Sequence, residues 1–212
     1  GFGILLEIFT TLVALGVVYA GVHAYKITKE QKHLYFAGTF GLLAISFIGR
    51  LFTALAIALE SFNDSVVSPV STTLGVSGEL FSIGHVAYIW LVLGAYAILL
   101  SLALKWDRKR ELGVLIALTS VIAASSIDVS WPFHLAALAL LFCITLQHYL
   151  NYRGTRAKSA YHIFAAFALL TLEPLMFLLA RFEPSLVVAG YVVRLIAYVM
   201  ILVTLWRVFS DE

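Results

Sequence analysis

Charged side chains are scarce in this chain: only 12% of its 212 residues are Asp, Glu, Lys or Arg, whereas 62% are hydrophobic. A typical soluble domain is about a quarter charged and about half apolar. The mean hydropathy of +0.98 also lies far on the apolar side. The composition therefore excludes an ordinary soluble protein. It predicts one multi-pass domain over residues 1–212 in the cell membrane, without a soluble domain.

Other scarcities disfavour particular classes of protein. The single cysteine, Cys143, excludes an internal disulfide, and a net charge of +2 gives no sign of nucleic-acid binding. No HExxH or HxxxH spacing is present, which disfavours a metal-dependent intramembrane hydrolase. A retinal protein needs a lysine within a span for its Schiff base, and every lysine lies outside the predicted spans. Asn, Gln and Met occur only twice each, which favours a thermophilic source.

Long apolar runs, in contrast, are abundant. A membrane-spanning helix needs about 20 apolar residues, and a helix satisfies all of its backbone polar groups internally. Seven runs are candidates, of which the fourth is short: 4–25, 34–60, 79–104, 112–127, 131–150, 160–181 and 185–208. The sequence thus predicts an all-α integral membrane fold, a bundle of seven transmembrane helices. The longest link, 61–78, is rich in Ser, Thr and Gly and is predicted to be an irregular or re-entrant loop, or a lid.

Basic residues separate by side in such a bundle. The segments "KITKEQK", "KWDRKRE" and "YRGTRAK", together with Arg207, fall on one side if there are seven spans. The opposite loops contain Asp64, Asp128 and Glu183, with Arg181 as their only base. The positive-inside rule then predicts that the N-terminus is outside and the C-terminus is cytoplasmic.

Two arginines, Arg50 in "FIGRLF" and Arg194 in "YVVRLIAY", are predicted to lie within spans, in the outer half of the bilayer. A charge at this depth costs roughly 3 kcal/mol or more unless it is paired or hydrated. The same half is predicted to contain further ionisable residues: Glu7, Glu60, Glu79, Glu173, His85 and His134. Two interpretations remain open. Arginine–glutamate pairs could lock the helices together, or Arg50, Arg194, Glu7 and Glu79 could line a polar cavity that binds a ligand or cofactor.

His134 and His148 lie fourteen residues apart in one apolar run. In a helix this spacing is about forty degrees short of four full turns and spans roughly 21 Å, so both side chains leave nearly the same face. Imidazoles are common axial ligands of haem iron. In this His134-x13-His148 spacing the segment resembles the paired haem-ligand helix of two-haem b-type membrane cytochromes.

The resemblance covers one helix and implies haem b as cofactor. His85 and His134 would then be the ligands of an outer haem iron, and His148 with His162 or His23 the ligands of an inner one. Arg50 and Arg194 would bind the haem propionates, and Glu173 would take a proton from a quinol. A second helix usually supplies a matching histidine pair in that family, but Leu99 occupies the position where the inner partner would lie. For the histidines near cytoplasmic helix ends, a structural role among lipid headgroups is the alternative: His23, His33, His148 and His162.

The favoured hypothesis is therefore a haem-binding electron-transfer subunit of a membrane oxidoreductase, with a lipid quinone or a partner protein as electron donor. The alternative is a seven-helix small-molecule sensor, receptor-like binding protein or transporter that uses the same cavity without haem. Four glycines allow helices to approach closely, either within the protein or toward a partner membrane subunit or a second copy: Gly16, Gly21, Gly38 and Gly41.

Overall fold

The computed structural model describes the backbone over residues 2–64, 73–104, 109–126 and 130–210. Side chains are described over residues 3–55, 83–104, 110–126 and 130–207. Within these ranges the fold is entirely helical. The helices are α1 (Phe2–Thr28), α2 (Gln31–Asp64), α3 (Thr73–Ala103), α4 (Lys109–Ser125), α5 (Trp131–Thr155), α6 (Lys158–Leu179) and α7 (Ser185–Ser210).

Six of these helices are long and apolar enough to cross a membrane, with mean hydropathies between 1.6 and 2.4 over their most apolar windows. The exception is α4, which has 17 residues. Large apolar side chains such as Phe52, Phe142 and Trp206 are more than half exposed, as expected of surfaces that face lipid. The all-helical fold predicted from the sequence is confirmed, and six of the seven predicted spans correspond to helices that are long and apolar enough to cross a membrane.

The helix directions follow from pairs of contacts. In α1 and α7, Gly3 lies against Tyr191 and Gly16 against Leu202, so these two helices run parallel. In α5 and α6, the ring of His134 contacts Phe177 and that of Tyr149 contacts Phe164, so this pair is antiparallel. Because α1 and α7 are parallel, the beginning of α1 and the end of α7 lie at opposite ends of the bundle.

A closed ring of helices forms the bundle, in the order α1, α2, α3, α5, α6, α7 and back to α1, while α4 packs outside against α3 and α5. The contacts of Phe47 with Tyr88 and of Thr53 with Gly84 make α2 and α3 antiparallel.

Gly21 lies against Ala37 and Gly41 against Val18, so α1 and α2 are antiparallel. Gly190 lies against Phe177, and His162 and Arg207 line one groove, so α6 and α7 are also antiparallel. Around the ring these directions make α3 and α5 parallel, and the chain must return along the bundle between them. This return is made by α4, which is about 25 Å long.

The predicted loop over 61–78 is wrong at both of its ends. Helix α2 continues to Asp64 and α3 begins at Thr73, so the segment left for a loop is 65–72, which lies outside the described residues. Extending a helix adds one hydrogen bond for each residue that is fixed, whereas starting one is costly. For this reason the Ser and Thr residues next to long helices join them rather than end them.

Aromatic side chains fill the centre of the ring. Phe40, Phe47 and Tyr198 are each 1% exposed or less. The ring of Tyr198 lies 5.5 Å from that of Phe40 and 6.1 Å from that of Phe47, centroid to centroid. Such aromatic pairs contribute about 1 kcal/mol each beyond the burial of their area. These contacts join α2 to α7 across the ring, and the three buried aromatic side chains form an apolar core at its centre.

Close helix approach occurs at one of the predicted glycines in particular. A Cβ added at Gly21 would lie 3.0 Å from the Cβ of Ala37 and 3.3 Å from the carbonyl oxygen of His33. A Cβ added at Gly38 would meet nothing within 4 Å. Gly21 therefore serves packing between α1 and α2 within this chain.

Candidate functional site

A cavity of about 590 Å³ lies at the end of the bundle where α5 and α7 begin. Its walls come from α2, α3, α5, α6 and α7, together with Ser130 just before α5. The polar side chains on its walls include those of Arg50, His85, Tyr88, His134, Glu173 and Tyr191. Its volume falls within the range of about 300–1,000 Å³ that is typical of small-molecule sites.

Arg50 is the cation of this cavity. Its Nη2 donates a hydrogen bond to the hydroxyl of Tyr191 at 2.7 Å, and its Nη1 donates one to the hydroxyl of Tyr88 at 3.4 Å. Nη1 also lies 3.5 Å from Oε1 of Glu7, on α1. Groups from three other helices therefore hold the guanidinium. Arg50 lies on the wall of the cavity, and 38% of its side chain is exposed.

A second ion pair lies deeper. Nη1 of Arg194 is 3.2 Å from Oε1 of Glu173, and the two side chains are 2% and 9% exposed. The guanidinium carbon lies 4.8 Å from the ring centre of Phe47 and 5.0 Å from that of Tyr191. Within the described structure, Arg194 Nε and Nη2, Glu173 Oε2 and the Tyr198 hydroxyl are buried without a hydrogen-bond partner. The pair thus links α6 to α7 under the cavity, at a high cost of desolvation.

The two histidines of the cavity come from the parallel helices α3 and α5. The ring of His134 stacks on Phe177, with centroids 5.1 Å apart and planes at 21°, and it also contacts Phe133 at 4.8 Å. This packing holds the imidazole in place at the cavity wall. Among the described side chains, no cluster of three or more His, Cys, Asp or Glu residues suits a metal ion. Iron held here by two imidazoles would need a macrocycle to supply its other ligands.

Most of the predicted site residues are brought together. Arg50, His85, His134 and Glu173 line the cavity. Glu7 and Arg194 adjoin it through the two arginine–glutamate pairs. The structure thus contains both features that the sequence left as alternatives, arginine–glutamate pairs and a cavity with polar residues on its walls.

The other predicted residues are placed differently. The ring of His148 stacks on Phe167 between α5 and α6, with centroids 4.7 Å apart and planes at 10°. His162 lies near the start of α6, where its Nδ1 is 2.8 Å from the carbonyl oxygen of Lys158. Neither histidine is on the wall of the cavity. Glu79 belongs to α3, but its side chain lies outside the described residues. An inner haem at His148 and His162 stays a prediction.

Sequence reasoning missed the tyrosines that position Arg50. Tyr88 lies three residues after His85, and Tyr191 lies three residues before Arg194. Residues three apart share a helix face, so each tyrosine could have been assigned to the face that carries an ionisable group. The signal is weak, because tyrosines in membrane proteins also concentrate at the lipid interface.

Two kinds of surface meet in this cavity. Guanidinium N–H groups, tyrosine hydroxyls and imidazoles form its polar part, and the side chains of Phe133, Phe177 and Val187 form apolar walls. Such a site suits an apolar molecule that carries acceptor oxygens. Comparisons of the chain with protein-family models, with curated proteins and with solved structures find no match.

Proposed function

We propose that this protein binds a small, largely apolar molecule with acceptor oxygens in the cavity between α2, α3, α5, α6 and α7. One observation carries the proposal: the partly exposed side chain of Arg50 lies with two imidazoles and a carboxylate on the walls of one cavity of about 590 Å³. Placing such groups inside a membrane costs free energy, and those that occur are usually paired or serve a function. Pairing accounts for the burial of Arg194, but it does not account for a cavity beside Arg50.

Arg50 supplies the recognition. A guanidinium has five N–H donors, and the tyrosine hydroxyls of Tyr88 and Tyr191 accept two described hydrogen bonds from it. At 3.5 Å, Glu7 balances the charge without forming a hydrogen bond through Oε1. Among the described residues the two tyrosine hydroxyls are the only hydrogen-bond acceptors of the guanidinium, which leaves N–H donors for a carboxylate or a carbonyl oxygen of the ligand, and the tyrosines hold the guanidinium in a fixed orientation.

The proposal includes an orientation in the membrane. In this proposal the chain crosses the membrane seven times, with α4 as the return between the parallel helices α3 and α5. The basic segments next to the ends of α1 and α5 lie at the end opposite the cavity. By the positive-inside rule that end is cytoplasmic. The N-terminus and the cavity then face the outside of the cell membrane.

Octanoate and octanol, which have the same chain length, provide the test. We expect isothermal titration of the detergent-solubilised protein, with empty micelles as the blank, to show saturable binding of octanoate at one site. Octanol, which has no charge, should bind at least about tenfold more weakly, since a hydrogen bond to a charged group is worth about 1.5–3 kcal/mol. Equal affinities for the two molecules, or no saturable heat with either, would contradict the proposal.

Electron transfer through haem b is a second candidate function, favoured by the presence of both His85 and His134 on this cavity. These imidazoles would hold the iron, and haem would supply one-electron chemistry with a lipid quinone or a partner protein. Arg50 is the guanidinium that a propionate can reach, because Arg194 is only 2% exposed and is paired with Glu173. Glu173, the carboxylate of that pair, would accept a proton at the floor of the cavity.

Haemin titration followed by visible absorption tests this second candidate. We expect a sharp Soret band that saturates at one equivalent and shifts on reduction. The variants His85→Ala and His134→Ala should each lose it, whereas His162→Ala, at the other end of the bundle, should keep it. A spectrum that is the same in all four proteins would exclude haem ligation by His85 and His134.

A further inference from the structure

A second cavity, of about 580 Å³, lies between α6 and α7 at the opposite end of the bundle. Three residues with basic side chains lie on its walls: Lys158 and His162 from the first turns of α6, and Arg207 from the last turn of α7. They come from two helices that run antiparallel, so the basic groups converge on one groove. A groove with this sign of charge suits an anionic group.

The beginning of α6 adds hydrogen-bond donors at the same place. Its N-cap residue, Ala157, has no side chain that could cap the first turn. The first backbone N–H groups of a helix have no partner within it and favour an anion. Ser159, in the same turn, is also on the wall of the groove. This end of the groove thus combines positive charge with N–H and O–H donors.

Below the basic groups the groove becomes apolar. Val199, Met200 and Val203 line it on α7, four to eight residues before Arg207. This spacing corresponds to a depth of about 6–12 Å along the helix axis. Val199 and Val203 are 40% and 43% exposed, so their side chains are available to a neighbouring molecule. The combination of a cationic rim and an apolar wall at this depth is that of a lipid site rather than of a site for a free ion.

We infer that the groove between α6 and α7 binds one anionic phospholipid. Its phosphate lies among Lys158, His162, Arg207 and the first turn of α6, and one acyl chain lies along Val199 and Val203. Basic pockets between membrane helices recognise anionic headgroups in this way. The site is separate from the cavity at Arg50, and the inference does not depend on what that cavity binds.

Native mass spectrometry of the full chain, with lipids added to the detergent solution, tests the inference because it identifies each bound species by mass. The probes are dioleoyl phosphatidylglycerol, dioleoyl phosphatidylcholine and inorganic phosphate. We expect one phosphatidylglycerol to be retained in preference to phosphatidylcholine. Lys158→Gln with Arg207→Gln should weaken its binding roughly 25-fold.

A matched control removes two charges from the same end of the bundle but outside the groove, through Lys26→Gln with Arg153→Gln. This variant should keep the phosphatidylglycerol affinity within about threefold, because both side chains are exposed, lie outside the walls of the groove and are screened by salt. Equal losses in the two double variants would overturn the inference in favour of a general attraction to the basic end. Retention of inorganic phosphate or of phosphatidylcholine as strongly as phosphatidylglycerol, or a second protein copy in place of lipid, would also overturn it.

Discussion

Replacing Glu173 with leucine is expected to lower the free energy of unfolding by about 3–5 kcal/mol, because the guanidinium of Arg194 would be left buried without its carboxylate. That guanidinium is 2% exposed and lies 3.2 Å from Oε1 of Glu173. The rings of Phe47 and Tyr191 pack on it and cannot accept its remaining N–H groups as a carboxylate does. Unfolding by sodium dodecyl sulfate in mixed micelles, followed by circular dichroism, measures the loss.

Replacing both Glu173 and Arg194 should lower the free energy of unfolding much less than replacing either one alone. In Glu173→Leu with Arg194→Met, no buried charge remains and the apolar volume is largely kept, so most of the lost stability should return. Arg194→Met alone should be destabilised as Glu173→Leu alone is, because it leaves the carboxylate unpaired. If the double variant is as unstable as the sum of the two single variants, the two residues do not act as a pair.

Arg50→Met is expected to weaken octanoate binding roughly 10- to 150-fold, the range expected for loss of a hydrogen bond to a charged group. Octanol binding should change little, because the apolar walls at Phe133 and Phe177 are untouched. Glu7 lies 3.5 Å from the guanidinium and would lose its counter-charge. The measurement is therefore made in Arg50→Met with Glu7→Gln, and Glu7→Gln alone is the reference.

Tyr191→Phe is expected to weaken octanoate binding less than Arg50→Met does. It removes the hydroxyl that accepts the 2.7 Å hydrogen bond from Nη2 of Arg50 but keeps the charge and the ring. We expect a loss of octanoate affinity of no more than about tenfold, because a neutral hydrogen-bond partner that only orients the guanidinium contributes about 1 kcal/mol. A loss as large as that of the arginine variant would mean that the tyrosine, rather than Arg50, contacts the carboxylate.

Much of this fold could be predicted from the sequence because lipid allows few structures. Apolar runs of the right length had to become helices, and all seven predicted spans overlap helices of the structure. The helix ends next to 61–78 could not be predicted, because Ser, Thr and Gly form loops or extend helices according to what is packed beside them. The outside position of α4 depends on contacts between α3 and α5 that no local pattern encodes.

The candidate site was predictable as a set of residues but not as an arrangement. The cost of charge in lipid singled out Arg50, Arg194, Glu7 and Glu173. Which carboxylate pairs with which arginine depends on the order of the helices around the ring, and this order is a tertiary property. The spacing of His134 and His148 indicated a common helix face, as their helix confirms. Spacing along one helix could not show that Phe177 would cover one ring and Phe167 the other.

The most direct test of ligand binding between α2, α3, α5, α6 and α7 is a substitution that fills the cavity. Ala54 lies on its wall, so Ala54→Phe places a phenyl ring where the ligand is proposed to bind. Ala139→Phe makes the same change on the exposed face of α5, away from the cavity. Titration of octanoate into both variants should show that Ala139→Phe binds as the unmodified protein does and that Ala54→Phe has lost saturable binding. Equal octanoate affinity in the two variants would contradict ligand binding between these helices.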